Sequence, residues 1–150
     1  MKYKVLFILF FSFTSQISHA SEDCMSNLSI FAEYYKVKNY NSAYEPWMKV
    51  RQECPKINAA IYSYGKRMLE HFINKSEGDQ KLAYQNDLIK LYDEWLVNFP
   101  SLKGRNIKGE IMSNKAQALL ENKLASKAEI FNTFDMAYST DRASFDDPKP

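Results

Sequence analysis

From Leu28 onward, apolar and aromatic residues return every three or four positions and almost never alternate. That period gives an α-helix a buried stripe, whereas a half-buried strand needs alternation at every second residue. The chain is therefore read as all-α. Asn39, Pro55, residues 74–78, residues 100–104 and residues 122–126 interrupt the pattern, with residue types that take turn conformations or cannot continue a helix. The interruptions predict six helices, near 26–38, 41–53, 57–73, 79–97, 106–122 and 126–139. Connections of a few residues force neighbouring helices antiparallel, so the unit is a helical hairpin used three times.

An internal repeat marks the same unit. Ala43, Trp47, Val50 and Pro55 form a small, aromatic, apolar, proline series, which Leu88, Tyr92, Trp95 and Pro100 reproduce 45 residues later. Ile130, Phe134, Ala137 and Arg142 follow after 42 more, without the proline. Each series occupies one stripe of the second helix of its hairpin, facing the first helix and the next hairpin. A hairpin cannot bury such a stripe alone, so the three are expected to stack.

In the first hairpin, Tyr34, the turn Lys38-Asn39-Tyr40, then Ala43, Trp47 and Pro55 resemble the tetratricopeptide repeat. Tyr64-Gly65 with Tyr92 and Pro100 echo it in the second hairpin, and Met112, Ala116, Leu119, Phe134 and Ala137 in the third. From Met25 to Asp147 the chain also resembles exported tetratricopeptide-like proteins of Bacteroidota, through stretches such as Lys36-Val37-Lys38-Asn39-Tyr40 and Ala43-Tyr44-Glu45-Pro46-Trp47. The resemblance implies an α-solenoid of three stacked hairpins whose first helices line a concave surface. The periods of 45 and 42 exceed the roughly 34 residues of that repeat and overlap the roughly 40–47 of HEAT-like repeats, so either kind of hairpin array fits.

Lys2 and Lys4 precede an apolar run from Val5 to Phe13 and a polar stretch ending Ser18-His19-Ala20. This is the pattern of a cleavable secretory leader, and the run is about half the ~20 residues that span a bilayer. Residues 1–20 are read as the leader, 21–147 as the repeat domain and 148–150 as a tail. Cys24 lacks the preceding Leu and small residue that lipid attachment needs. Export places the chain where thiols oxidise, so Cys24 and Cys54, which flank the first hairpin, are expected to form a disulfide. The protein is expected in the periplasm, envelope-associated or secreted.

Of 20 Lys and Arg, two lie in the leader, which leaves 18 of each sign and no net charge in the remaining 130 residues. Nucleic acid, which requires a clustered cationic excess, is not an expected partner, and neither is stable membrane insertion. Only His71 remains outside the leader, and the four glycines stand singly at 65, 78, 104 and 109. Metal-ligand spacings and phosphate-binding loops are absent, so no metal and no cofactor is expected. Cys54 as a nucleophile would have only His71 as base, with Glu70 pointing to another side of its helix.

Tyr34, Tyr40, Tyr64 and Tyr92 fall at repeat-core positions. Tyr35 and Tyr62 fall off the core stripe on first helices, the ones that line the concave surface in arrays of the resembled type, and Lys66, Ser113 and Gln117 share that surface. These five residues are the expected partner-binding surface. The Ile130, Phe134 and Ala137 stripe has no fourth hairpin to cover it, which leaves the short tail around Phe145, self-association or residues beyond this chain; because Phe145 alone is a small cover, self-association through that end is predicted. The expected function is a non-enzymatic scaffold that binds a protein or peptide of the cell envelope. Two alternatives stand beside it: the amino-terminal part of a longer array without activity of its own, or an enzyme in which Glu33, Glu45, Glu70 and Glu94 pair in space.

Overall fold

The computed structural model describes residues 16–145, with side chains from residue 22 onward. The lysines and apolar run of the expected leader and the 148–150 tail lie outside the described residues. Six helices follow one another: α1 (Gln16–Lys36), α2 (Tyr40–Glu53), α3 (Ala60–Lys75), α4 (Gly78–Asn98), α5 (Lys108–Glu121) and α6 (Lys127–Thr140). α1 packs on α2, α3 on α4 and α5 on α6, and the pairs join through α2 with α3 and α4 with α5. The described residues therefore form an array of three helical hairpins. Only the start of α1 departs widely from expectation, at Gln16 instead of near residue 26.

The first and third hairpins turn in the same way. After α1, the Lys38 amide donates to Tyr35 O and the Asn39 amide to Tyr34 O, each at 2.9 Å; after α5, Lys123 donates to Leu120 O at 3.2 Å and Leu124 to Leu119 O at 3.0 Å. Both turns carry the paired bonds of a Schellman motif, with lysine in the left-handed position, at φ 59° and 54°. The next helix is then capped by a side chain. Asn39 accepts from the Ser42 amide, and Ser126 and Glu129 form a reciprocal capping box. Between α4 and α5 the structure adds what the helical period did not predict, a two-residue antiparallel pair, β1 (Ser101–Leu102) and β2 (Arg105–Asn106). Lys103 and Gly104 at its tip both have positive φ, as a tight two-residue hairpin requires.

The repeated series is the spine of the core. Ala43, Trp47 and Val50 are buried, as are Leu88, Tyr92, Ile130 and Ala137, while Trp95 and Phe134 are half-buried. Trp47 locks the first hairpin to the second. Its Nε1 donates to the Ile61 carbonyl at 2.8 Å, and its ring passes so close to the α3 backbone that a Cβ on Gly65 would lie 2.6 Å from it. Glycine is required here by approach, not by backbone angle.

Beside this contact lies Arg51, whose side chain is almost wholly buried. Nε donates to Glu94 Oε2 at 2.6 Å, Nη1 to Asp87 Oδ2 at 3.0 Å, and Nη2 makes an ion-pair contact with Asp87 Oδ1 at 2.9 Å. Burial opposes the guanidinium charge, but the hydrogen bonds and charges of Glu94 and Asp87 outweigh it and raise the Arg51 pKa. The guanidinium also sits 5.0 Å from the Trp47 ring centre.

Cys24 and Cys54 are bonded, with Cα atoms 6.2 Å apart, which ties α1 to the end of α2. At the far end the expected open stripe is corrected. Ile130 and Ala137 are buried, and the 3-10 turn Arg142–Ser144 folds against α5 and α6. Ser144 Oγ accepts from the Glu110 amide at 3.2 Å, capping α5 from the tail, and a Cβ on Gly109 would collide with the Asp141 carbonyl. The apolar residues left exposed on α6 are Phe131, Met136 and Tyr138, not the predicted stripe. Tyr34 is corrected as well: it is 40% exposed, and Phe31 takes the core position on α1.

Two stability measurements check these contacts. Trp47→Ala is expected to lose about 3–5 kcal/mol in denaturant unfolding, and Gly65→Ala about 1–3 kcal/mol from overpacking; with Trp47 already truncated, the added cost of Gly65→Ala should fall to a few tenths. Replacing both cysteines by Ala should remove about 3–4 kcal/mol, the chain-entropy value for a loop of roughly 30 residues, with the far-ultraviolet dichroism of the folded state unchanged.

Candidate functional site

Stacking of the second hairpin against the third leaves a cleft of 570 Å³ walled by α3, α4 and α5, within the roughly 300–1,000 Å³ of ligand sites. α3 contributes Lys66, Glu70, Ile73 and Asn74. α4 contributes Lys81, Gln85, Leu88 and Tyr92, and the α5 wall includes Asn114, Gln117, Ala118, Glu121 and Asn122. The wall on α5 is a polar stripe with a small residue at its centre, because Asn114, Ala118 and Asn122 are successive i, i+4 neighbours on one face.

Two polar struts cross the cleft. Asn114 Nδ2 donates to Glu110 O and Asn122 Nδ2 to Ala118 O, each at 2.8 Å. This back-bonding turns each Oδ1 outward from its own helix. Lys66 Nζ donates to Asn114 Oδ1 at 3.3 Å, and Gln85 Nε2 donates to Asn122 Oδ1 at 2.9 Å. Between the struts, Gln117 Nε2 donates to Glu121 Oε1 at 2.8 Å, and Lys66 also pairs with Glu70 at 3.6 Å.

Tyr92 forms the floor. It is 1% exposed, yet its hydroxyl has no hydrogen-bond partner among the described residues. Burial, and then the negative charges of Glu70 and Glu121 on the cleft walls, push its phenol far above the ordinary value of 10.0. The hydroxyl therefore stays protonated and able to donate toward the cleft. Tyr62 provides a contrast. Burial first, with Glu94 adding, raises it to about 12 although the hydrogen bond from Asn98 acts the other way; its hydroxyl donates to Pro55 O at 3.0 Å and accepts from Asn98 Nδ2 at 2.8 Å.

The expected partner surface is thus divided. Lys66 and Gln117 do line the cleft. Tyr62, expected on the concave face, is fully buried and packs against Trp95 with ring centres 6.0 Å apart. Ser113 is 2% exposed and turned inward, where its hydroxyl donates to Gly109 O at 2.7 Å. Tyr35 is half-buried, stacked on Tyr64 at 4.0 Å between ring centres, and lies outside the cleft.

The carboxylates considered for catalysis each face a cation. Glu33 is 3.9 Å from Lys36, Glu45 is 3.1 Å from Lys49, Glu70 pairs with Lys66 and Glu94 with Arg51. His71 is exposed, on a different side of α3 from Glu70, with its ring against Tyr40 at 4.9 Å. A smaller cleft of 260 Å³ between α2 and α4 is lined by Arg51 and its two carboxylate partners. Sequence reading missed Tyr92, Gln85, Asn114 and Asn122 as site residues. The Asn-Ala-Asn spacing on α5 was the available signal.

Comparison with protein-family models, with characterised proteins and with solved structures finds no match to this chain.

The tyrosine floor has a pH consequence. A phenol whose folded-state pKa is raised contributes its full stabilisation below its ordinary value of 10.0 and loses it as pH rises toward the folded value. Unfolding is therefore promoted above pH 10, and Tyr92→Phe should move the alkaline unfolding midpoint upward in a circular-dichroism titration. An unchanged midpoint would mean that the hydroxyl is already solvated in the folded protein.

Proposed function

We propose that this chain is a non-enzymatic binding module of the tetratricopeptide-like kind, which holds a short peptide segment of a partner protein in the cleft between α3, α4 and α5. The observation that carries this reading is the cleft itself, walled by carboxamides, with the Tyr92 ring at its floor and a Tyr92 hydroxyl that makes no hydrogen bond among the described residues. A ligand carbonyl at the floor would give that hydroxyl a hydrogen bond, worth about 0.5–1.5 kcal/mol net.

The chemistry of the walls favours a peptide backbone. The carboxamides of Gln85, Asn114 and Asn122 already hydrogen-bond along and across the cleft, and each has the donor and acceptor that a peptide group presents, so a peptide can exchange with the cross-cleft bonds. A ligand carbonyl can take over the donors Lys66 and Gln85, which now bridge to α5. An apolar cofactor fits poorly, because the apolar lining residues Ile73, Leu88, Tyr92 and Ala118 are nearly covered. A sugar would lack an open aromatic face on which to stack. Placement in the cell envelope is part of the proposal and rests on the leader pattern of residues 2–20.

The test is selection of a displayed random peptide library on the purified protein, followed by affinity measurement of enriched peptides on the wild type and on Tyr92→Phe. Loss of one hydrogen bond worth about 0.5–1.5 kcal/mol should weaken binding about twofold to tenfold, while the melting temperature near neutral pH holds. Gln85→Ala should weaken the same peptides. Absence of enrichment, or peptides indifferent to both substitutions, would sink the reading.

A further inference from the structure

The two ends of the cleft differ. At the end formed by Lys66 and Asn114, the Lys66 ammonium is paired with Glu70 at 3.6 Å and bonded to Asn114. The other end is marked by the Gln85 to Asn122 strut. Lys81 lies one turn before Gln85 on the same face of α4, and Lys123 directly follows Asn122, so the strut brings the two lysines to one mouth, where both line the cleft. Neither has a carboxylate within ion-pair distance among the described residues, in contrast to Lys36, Lys49, Lys66, Lys90 and Lys115. Of the acids nearest in sequence, Glu77 and Asp79 are exposed and make no ion pair with Lys81, and Glu121, which lines the same wall and accepts from Gln117, is a single carboxylate against two ammonium groups and makes no ion pair with either.

Two ammonium groups beside carboxamides, at one end of a cleft whose other cation is already paired, define an anionic end and a neutral end for whatever enters. We propose that Lys81 and Lys123 receive a carboxylate of the bound peptide, so that the ligand lies with its negative group at the Lys81 and Lys123 mouth and its uncharged chain over Tyr92. This rests on the peptide-binding reading of the same cleft. Lys81 is half-buried against the wall, which strengthens its field relative to a fully solvated surface lysine. Lys123 is held by the left-handed turn that ends α5, at φ 54°. The carboxylate can be the end of a chain or an Asp or Glu side chain, since both present the same two oxygens.

Two randomised hexapeptide pools, both acetylated at the amino terminus and differing only in a free or amidated carboxyl terminus, separate these cases. Each is passed over the immobilised full chain and over Lys81→Gln/Lys123→Gln, and retained peptides are quantified by mass spectrometry. The wild type should retain the free-acid pool at least fivefold over the amide pool, or, where a side chain is the source, enrich Asp and Glu at one position of the amide pool. Either preference should fall to unity on the double variant, whose melting temperature should match the wild type, and should shrink as salt is raised. Equal retention of both pools with no acidic enrichment would overturn the carboxylate assignment and leave peptide binding standing. Retention of neither pool would overturn both.

Discussion

The approach of the Trp47 indole to the backbone of α3 is the contact on which the rest of the array depends. It needs a residue without a side chain at Gly65 and an acceptor at Ile61, and it obtains both from a single turn of α3. The indole is thereby buried and its polar edge satisfied, the condition for an aromatic donor in a core. With α2 and α3 fixed at this distance, Arg51 reaches across to Asp87 and Glu94 on α4. The first hairpin thus grips both helices of the second.

The second junction is built on different chemistry, and that difference opens the cleft. Between the first two hairpins, beside the Arg51 pairs, most contacts are aromatic and close-packed: Tyr35 on Tyr64, Tyr44 against Phe72 and Tyr84, and Trp47 on Gly65. Between the second and third, facing positions are held by long polar side chains, Lys66 to Asn114 and Gln85 to Asn122. Polar struts hold helices together while leaving space between them, because their hydrogen bonds are made at the tips of side chains. The Tyr92 ring still closes the base of that space, with almost all of its side chain buried.

Much of the architecture was legible in the sequence because helical hairpins are specified locally. The three-to-four period, the breaks at Asn39 and Pro55, and the Ala43, Trp47, Val50 series each act within a few turns of chain. Five of the six helices accordingly begin and end within about three residues of the expected positions. Site residues were less legible. Tyr62 and Ser113 were placed on the surface from their angle around a first helix, but that angle does not say which neighbour covers them. Trp95 and Phe99 cover Tyr62, and the Gly109 carbonyl one turn back engages Ser113.

By itself the sequence determined the helices, their pairing, the stripe that each hairpin buries and the two cysteines brought within reach of one another. Those follow from periodicity and short connections, which constrain a chain before any distant contact forms. Tertiary structure alone decided that Gly65 exists for Trp47, that Arg51 serves two carboxylates on α4, and that the turn around Ser144 folds back onto α5 and α6. It also decided where the array stays open, since a cleft is the space left when residues far apart in the chain meet at their tips, and no local pattern encodes a space.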